Sequence, residues 1–90
     1  MLNLTSVEVH KGNTKLDFIC SMEDNEIYSI FCYINNQEVA DWKQLSSFPD
    51  EQRRFIKRIL EEYGMKETYI ADYSQKIYSC LNLGIECILK

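Results

Sequence analysis

Three two-residue turn signals, Gly12-Asn13, Asp24-Asn25 and Asn35-Asn36, cut the first part of this chain into short segments of similar length. This punctuation constrains the fold more than any other feature, because Gly, Asn and Asp accept the positive φ that tight hairpins need. Between the turns the apolar residues alternate. Val7 and Val9 share a side of segment 3–10, and Leu16, Phe18, Cys20 and Met22 share one over 14–22. That period of two belongs to strands. Segment 26–34 follows as a third strand and 37–42 as a short fourth.

Register follows from the loops. A type II′ turn at Gly12-Asn13 pairs Val7 with Phe18 and Val9 with Leu16, but sets Glu8 opposite Asp17, an unfavourable like-charge pair. A two-residue slip pairs Glu8 with Lys15 and keeps the same faces, so both registers stand. A loop at Asp24-Asn25 places Met22 across from Ile27 and Phe18 across from Phe31. An uninterrupted pleat then puts Val7, Val9, Leu16, Phe18, Met22, Ile27, Phe31 and Tyr33 on one face. Ile19, Tyr28, Ile30, Cys32 and Ile34 fall on the other.

The next signal has a helical period. Phe55, Ile56, Ile59, Leu60 and Tyr63 form one apolar stripe within segment 48–63. Ser47 is placed to cap it, Pro49 suits the first turn, and Gly64 supplies a left-handed stop. Ile70, Tyr73, Ile77 and Leu81 continue at helical spacing, whereas Leu83, Ile85, Cys87 and Leu89 alternate. The expected order is a second helix over 69–81 and a strand over 83–89 that rejoins the sheet, with a terminal β-hairpin as the rival. The class is α+β: an antiparallel meander of three to four strands, one long amphipathic helix, a second helix and a short C-terminal strand. Which sheet face the helix covers is left open.

Ninety residues, 46% of them apolar, make one domain over 1–90 with a small core of its own. The net charge of −4 has the wrong sign for a generic nucleic-acid binder. No apolar run approaches the roughly 18 residues of a membrane span. The opening residues Met1-Leu2-Asn3-Leu4-Thr5 carry no basic region followed by an apolar one, so a cytoplasmic location and no membrane partner are expected.

Chemistry-bearing groups are sparse. Cys20, Cys32, Cys80 and Cys87 contain no Cys-x-x-Cys pair and sit in apolar segments, so free, buried thiols are expected rather than a disulfide framework or a metal site. His10 is the single histidine. On the first hairpin Cys20 lies five to seven positions from it, roughly 17–23 Å at about 3.3 Å per residue, beyond hydrogen-bond reach. The acidic turn Glu23-Asp24 with Glu26 lacks the ligand spacing of a calcium loop. Neither a phosphate-binding glycine loop nor a nucleophile elbow is found. The expectation is a non-catalytic protein with no cofactor, no metal and no catalytic residues.

Two features point to partners. Residues 1–50 hold eight acids against three bases, whereas 51–90 hold six against seven, so the sheet half is acidic and suited to a basic site on another protein. A half-solvated sheet should also be polar on its outer face, and the second stripe is not. The carboxyl-terminal segment of the same chain could bury it; otherwise Ile19, Tyr28, Ile30, Ile34 and Trp42 are the candidate partner-binding residues, the partner being a larger protein target or a second copy in a homodimer. On this basis the chain reads as a small protein-interaction module, an inhibitor or regulator of the kind phages and mobile elements encode. The alternative is a nucleic-acid-associated regulator using Arg53, Arg54, Lys57 and Arg58, although the i,i+4 pairs Asp50–Arg54, Lys57–Glu61 and Arg58–Glu62 would neutralise much of that helix face. A cysteine-dependent enzyme or redox protein is the third reading.

Overall fold

All three turn signals close two-residue hairpins in the computed structural model, which describes residues 3–43 and 49–90. Strands β1 (Asn3–Lys11), β2 (Thr14–Glu23), β3 (Glu26–Ile34) and β4 (Gln37–Lys43) form an antiparallel meander. Asp24 and Asn25 have φ of 53° and 65°, and Asn35 and Asn36 have φ of 47° and 70°, the doubly positive pattern of type I′ turns. At the first turn Gly12 has φ of 59° and Asn13 is not positive, which matches the sign pattern of type II′. Helices α1 (Pro49–Glu62) and α2 (Glu67–Leu83) follow, and β5 (Cys87–Leu89) returns to the sheet parallel to β1. The strand order is β4-β3-β2-β1-β5.

The α+β class and element order agree with the sequence expectation, at slightly different boundaries. Ser47 and Phe48, expected to cap and open the first helix, lie outside the described residues. The second helix runs two residues further at each end than expected, and the last strand is confined to Cys87–Leu89. Helix α1 ends as Gly64 predicts. Gly64 adopts φ of 85°, its N–H donates to the Glu61 carbonyl and that of Met65 to the Leu60 carbonyl, a Schellman arrangement that satisfies the last carbonyls.

The first hairpin takes the direct register, with Val7 opposite Phe18, Val9 opposite Leu16 and Glu8 opposite Asp17. The like-charged pair is relieved sideways. The Ser6 hydroxyl donates to Asp17 Oδ1 at 2.8 Å, and His10 Nε2 lies 2.9 Å from Glu8 Oε2.

The second hairpin departs from an uninterrupted pleat. Met22 faces Ile27 as expected, but Ser21 faces Ser29, leaving Tyr28 as an extra residue in β3. One inserted residue inverts every later side chain. Phe18 therefore pairs with Cys32, not Phe31, and Ile30, Cys32 and Ile34 turn inward while Phe31 and Tyr33 turn outward. A second irregularity leaves Val39 unpaired between Cys32–Ala40 and Tyr33–Glu38.

Both helices lie on one side of the sheet. Phe55, Ile56, Ile59 and Leu60 of α1 and Ile70, Ile77, Tyr78 and Leu81 of α2 are buried with Val7, Val9, Leu16, Phe18, Cys20, Ile30 and Cys32 in one core. Those seven strand residues all belong to a single face by register.

Candidate functional site

The opposite face of the sheet receives no helix among the described residues, and the bulge at Tyr28 decides what it displays. At its centre Ile19 of β2 stands opposite Phe31 of β3, both half-buried. Tyr33 continues the row beside Phe31. At one end lies Leu4, 70% exposed, and on the β5 edge lies Ile88, 62% exposed and paired with Glu8. Tyr28 is 47% exposed at the bulge itself. Ser21 and Ser29 join their hydroxyls at 2.6 Å and are buried.

Carboxylates surround this apolar row. Glu8 and Asp17 occupy the same face on β1 and β2, and Glu38 and Asp41 face Tyr33 and Phe31 from β4. Lys15 and His10 are paired at the turn end. The hydrogen bond from His10, with help from the Lys15 charge, holds the Glu8 carboxyl below its ordinary value.

The five expected partner-binding residues do not form one surface. Ile19 and Tyr28 lie on the open face. Ile30 is fully buried in the core, and Ile34 and Trp42 pack against that core from the helix-covered side. The single stripe of Ile19, Tyr28, Ile30, Cys32 and Ile34 is thus corrected by the bulge, which sends the last three inward. Phe31 and Tyr33, assigned to the core by the uninterrupted pleat, take their places outside. The spacing of Ile27 and Ile30 carries the missed signal: two residues that are both buried on one face cannot be three positions apart in a regular strand.

The basic helix face is less neutralised than expected. Asp50 pairs with Arg53 at 3.3 Å rather than with Arg54. Arg53 also lies over the Tyr78 ring, 4.7 Å from its centroid. Arg54, Lys57 and Arg58 are exposed, and none takes part in an ion pair among the described residues.

The cysteines are free. Burial pushes the Cys20 thiol up to about 11 and the Cys32 thiol up to about 12, with the Asp17 charge adding to the latter. Both are thiols at neutral pH and poor nucleophiles in the folded protein. Cys20 Sγ lies 3.8 Å from the Leu81 carbonyl, at the end of α2. Cys80 and Cys87 are half-buried, and burial followed by a hydrogen bond with Cys87 raises the Cys80 thiol to about 11. No group of three or more metal-ligating side chains occurs among the described residues, and no described helix is long and apolar enough to cross a membrane.

Fold and surface together define a class: a small α+β domain whose five-stranded sheet is roofed by two helices on one side and, among the described residues, bare on the other. Comparison with family models, curated proteins and solved structures gave no match for the chain.

Proposed function

We propose that this protein is a non-catalytic interaction module that docks its bare sheet face on a larger protein target. The observation that carries this reading is the Ile19–Phe31 pair, extended by Tyr33 and flanked by Leu4 and Ile88, on a face that no described part of the chain covers. Apolar side chains so placed gain from leaving water. Aromatic residues in such a setting are the type that anchors interfaces.

The rim selects the occupant. Glu8, Asp17, Glu38 and Asp41 fit a partner that presents Lys or Arg around an apolar centre. A second copy fits less well, because a two-fold contact sets the same acidic surface against itself. Regulation or inhibition by covering a basic site on the target is the role that best suits this charge pattern.

The test uses the whole protein, a Phe31→Ser/Asp41→Lys variant and an Arg54→Glu/Lys57→Glu variant. Photo-crosslinking from position 33 in a cell lysate should capture a target whose contact region is basic. Capture should fall with the open-face variant and persist with the helix variant. Capture unaffected by the open-face changes overturns the reading, as does a stable dimer that buries Ile19 and Phe31.

A second reading rests on the exposed Arg54, Lys57 and Arg58. Three uncommitted cations on one helix face could engage nucleic-acid phosphates, and such binding falls steeply with salt. Against it stand Glu51, Glu61 and Glu62, exposed on the same helix. The absence of DNA or RNA binding at low ionic strength would dispose of it.

A further inference from the structure

A cleft away from the bare face, between the turn end of β1 and the first turns of α2, has a composition opposite to that of the chain as a whole. Its volume is about 240 Å³, and Val9 and Met65, both buried, line its inner part. Tyr69 and Tyr73 line it from α2, with ring centroids 6.5 Å apart at an interplanar angle of 74°. His10, Lys11, Lys66 and Lys90 complete the lining, and no Asp or Glu is part of it. A protein with fourteen acids and ten Lys plus Arg has therefore gathered three lysines around one aromatic cavity, with His10 at its edge and its imidazole held by Glu8.

The nearby acids are already engaged or lie outside. Glu8 holds His10, and Asp72 holds Lys76 at 3.0 Å, whose ammonium stands 5.7 Å from the Tyr73 ring centroid. Glu67 opens α2 and is exposed. The Tyr73 hydroxyl donates to the main-chain oxygen of Lys90 at 2.8 Å, which ties that residue to the cavity wall. Lys11, Lys66 and Lys90 make no ion pair among the described residues. Uncommitted ammonium groups beside an apolar, aromatic wall suit a ligand that is anionic at one end and apolar at the other. Size agrees, since a cavity of about 150 Å³ accepts benzene and the remainder admits an oxyanion.

From this cleft we infer a binding site for a small aryl oxyanion, a ring bearing a phosphoryl or carboxylate group. The ring packs against Tyr69, Tyr73, Val9 and Met65, and the oxyanion accepts hydrogen bonds from Lys11 and Lys66. This site does not depend on the docking reading, because none of its residues belongs to the apolar row of the open face.

The test is a titration of phenyl phosphate into the isotope-labelled protein, followed by amide NMR. Saturable shifts are expected at Lys11, Lys66, Tyr69 and Tyr73, with a dissociation constant on the order of a millimolar. Phenol should give no saturable shift, and inorganic phosphate should bind more weakly than phenyl phosphate. Exchanging both lysines (Lys11→Gln/Lys66→Gln), which are exposed and leave the core intact, should weaken binding roughly three- to tenfold. Benzoate distinguishes the head group: binding as tight as phenyl phosphate assigns a carboxylate, and weaker binding a phosphoryl group, either one supporting the site. The inference is overturned if phenyl phosphate fails to saturate, if its shifts gather on Arg54–Arg58, if inorganic phosphate binds equally well, or if the double variant binds unchanged.

Discussion

Ile30 and Phe31 are neighbours in β3 with opposite environments: Ile30 is fully buried beneath the helices and Phe31 is half-buried on the bare face. Their substitutions should separate accordingly. Ile30→Ala removes core volume and should cost about 2–5 kcal/mol, whereas Phe31→Ser should cost about 1 kcal/mol or less. Urea unfolding of the two variants measures the difference. Equal losses would mean that the bulge at Tyr28 does not set the faces.

Asn36 occupies the second position of a type I′ turn with φ of 70°. Glycine adopts that conformation without strain, and Asn-Gly is the favoured pair for such a turn. Asn36→Gly should raise stability by about 0.5 kcal/mol, and Asn36→Ala should lower it by about 1–2 kcal/mol. Asn35 is the wrong residue for this test. Its side-chain oxygen accepts the Lys15 amide at 3.0 Å and its own amide donates to the Lys15 carbonyl, so a change there would also loosen the β2–β3 hairpin.

The Glu8–His10 contact makes a prediction about acid. Hydrogen bonding to His10 holds the folded Glu8 carboxyl below its ordinary 4.5. A carboxyl depressed on folding contributes stability above its unfolded value, and that contribution is lost as pH falls through the folded value. Stability should therefore decline on the acid side of 4.5 in part through Glu8. His10→Ala should return the Glu8 titration toward 4.5, as side-chain carbon NMR would report. A titration that does not move would show that His10 is not the cause.

Arg53 and Tyr78 join the two helices. The guanidinium lies 4.7 Å from the ring centroid, and Tyr78 is 8% exposed while the Arg53 side chain is 47% exposed. Arg53→Ala should cost about 0.5–1 kcal/mol, as expected of a partly solvated cation over an aromatic ring. Arg54→Ala, with no such neighbour, should be nearly neutral. A double-mutant cycle with Tyr78→Leu isolates the contact, and a coupling energy of zero would remove it from the account.

Much of the architecture is legible in the chain itself. Turn pairs that tolerate positive φ mark the hairpins, and the stripe from Phe55 to Leu60 marks α1, because both are local preferences repeated at a fixed period. Gly64 ends that helix for a reason equally local, its left-handed φ of 85°. The surface residues are less legible. Ile19 and Tyr28 lie on the bare face as expected, but Ile30, Ile34 and Trp42 do not, since strand parity is cumulative and one extra residue inverts everything beyond it. The aryl-oxyanion cleft leaves no linear trace, because its lysines at positions 11, 66 and 90 come from three separate parts of the chain.

Sequence alone determined that this chain would make a meander of hairpins followed by two helices, since turn chemistry and apolar periodicity act over a few residues. Tertiary structure decided which side of the sheet each strand residue would face. Ile27 and Ile30 both entered the same core at 1% and 0% exposure, and a strand can bury two residues three positions apart only by inserting Tyr28 between the rungs. That choice sent Phe31 and Tyr33 outward to join Ile19. The exposed apolar row and its acidic rim follow from how the core was filled, not from any motif in the sequence.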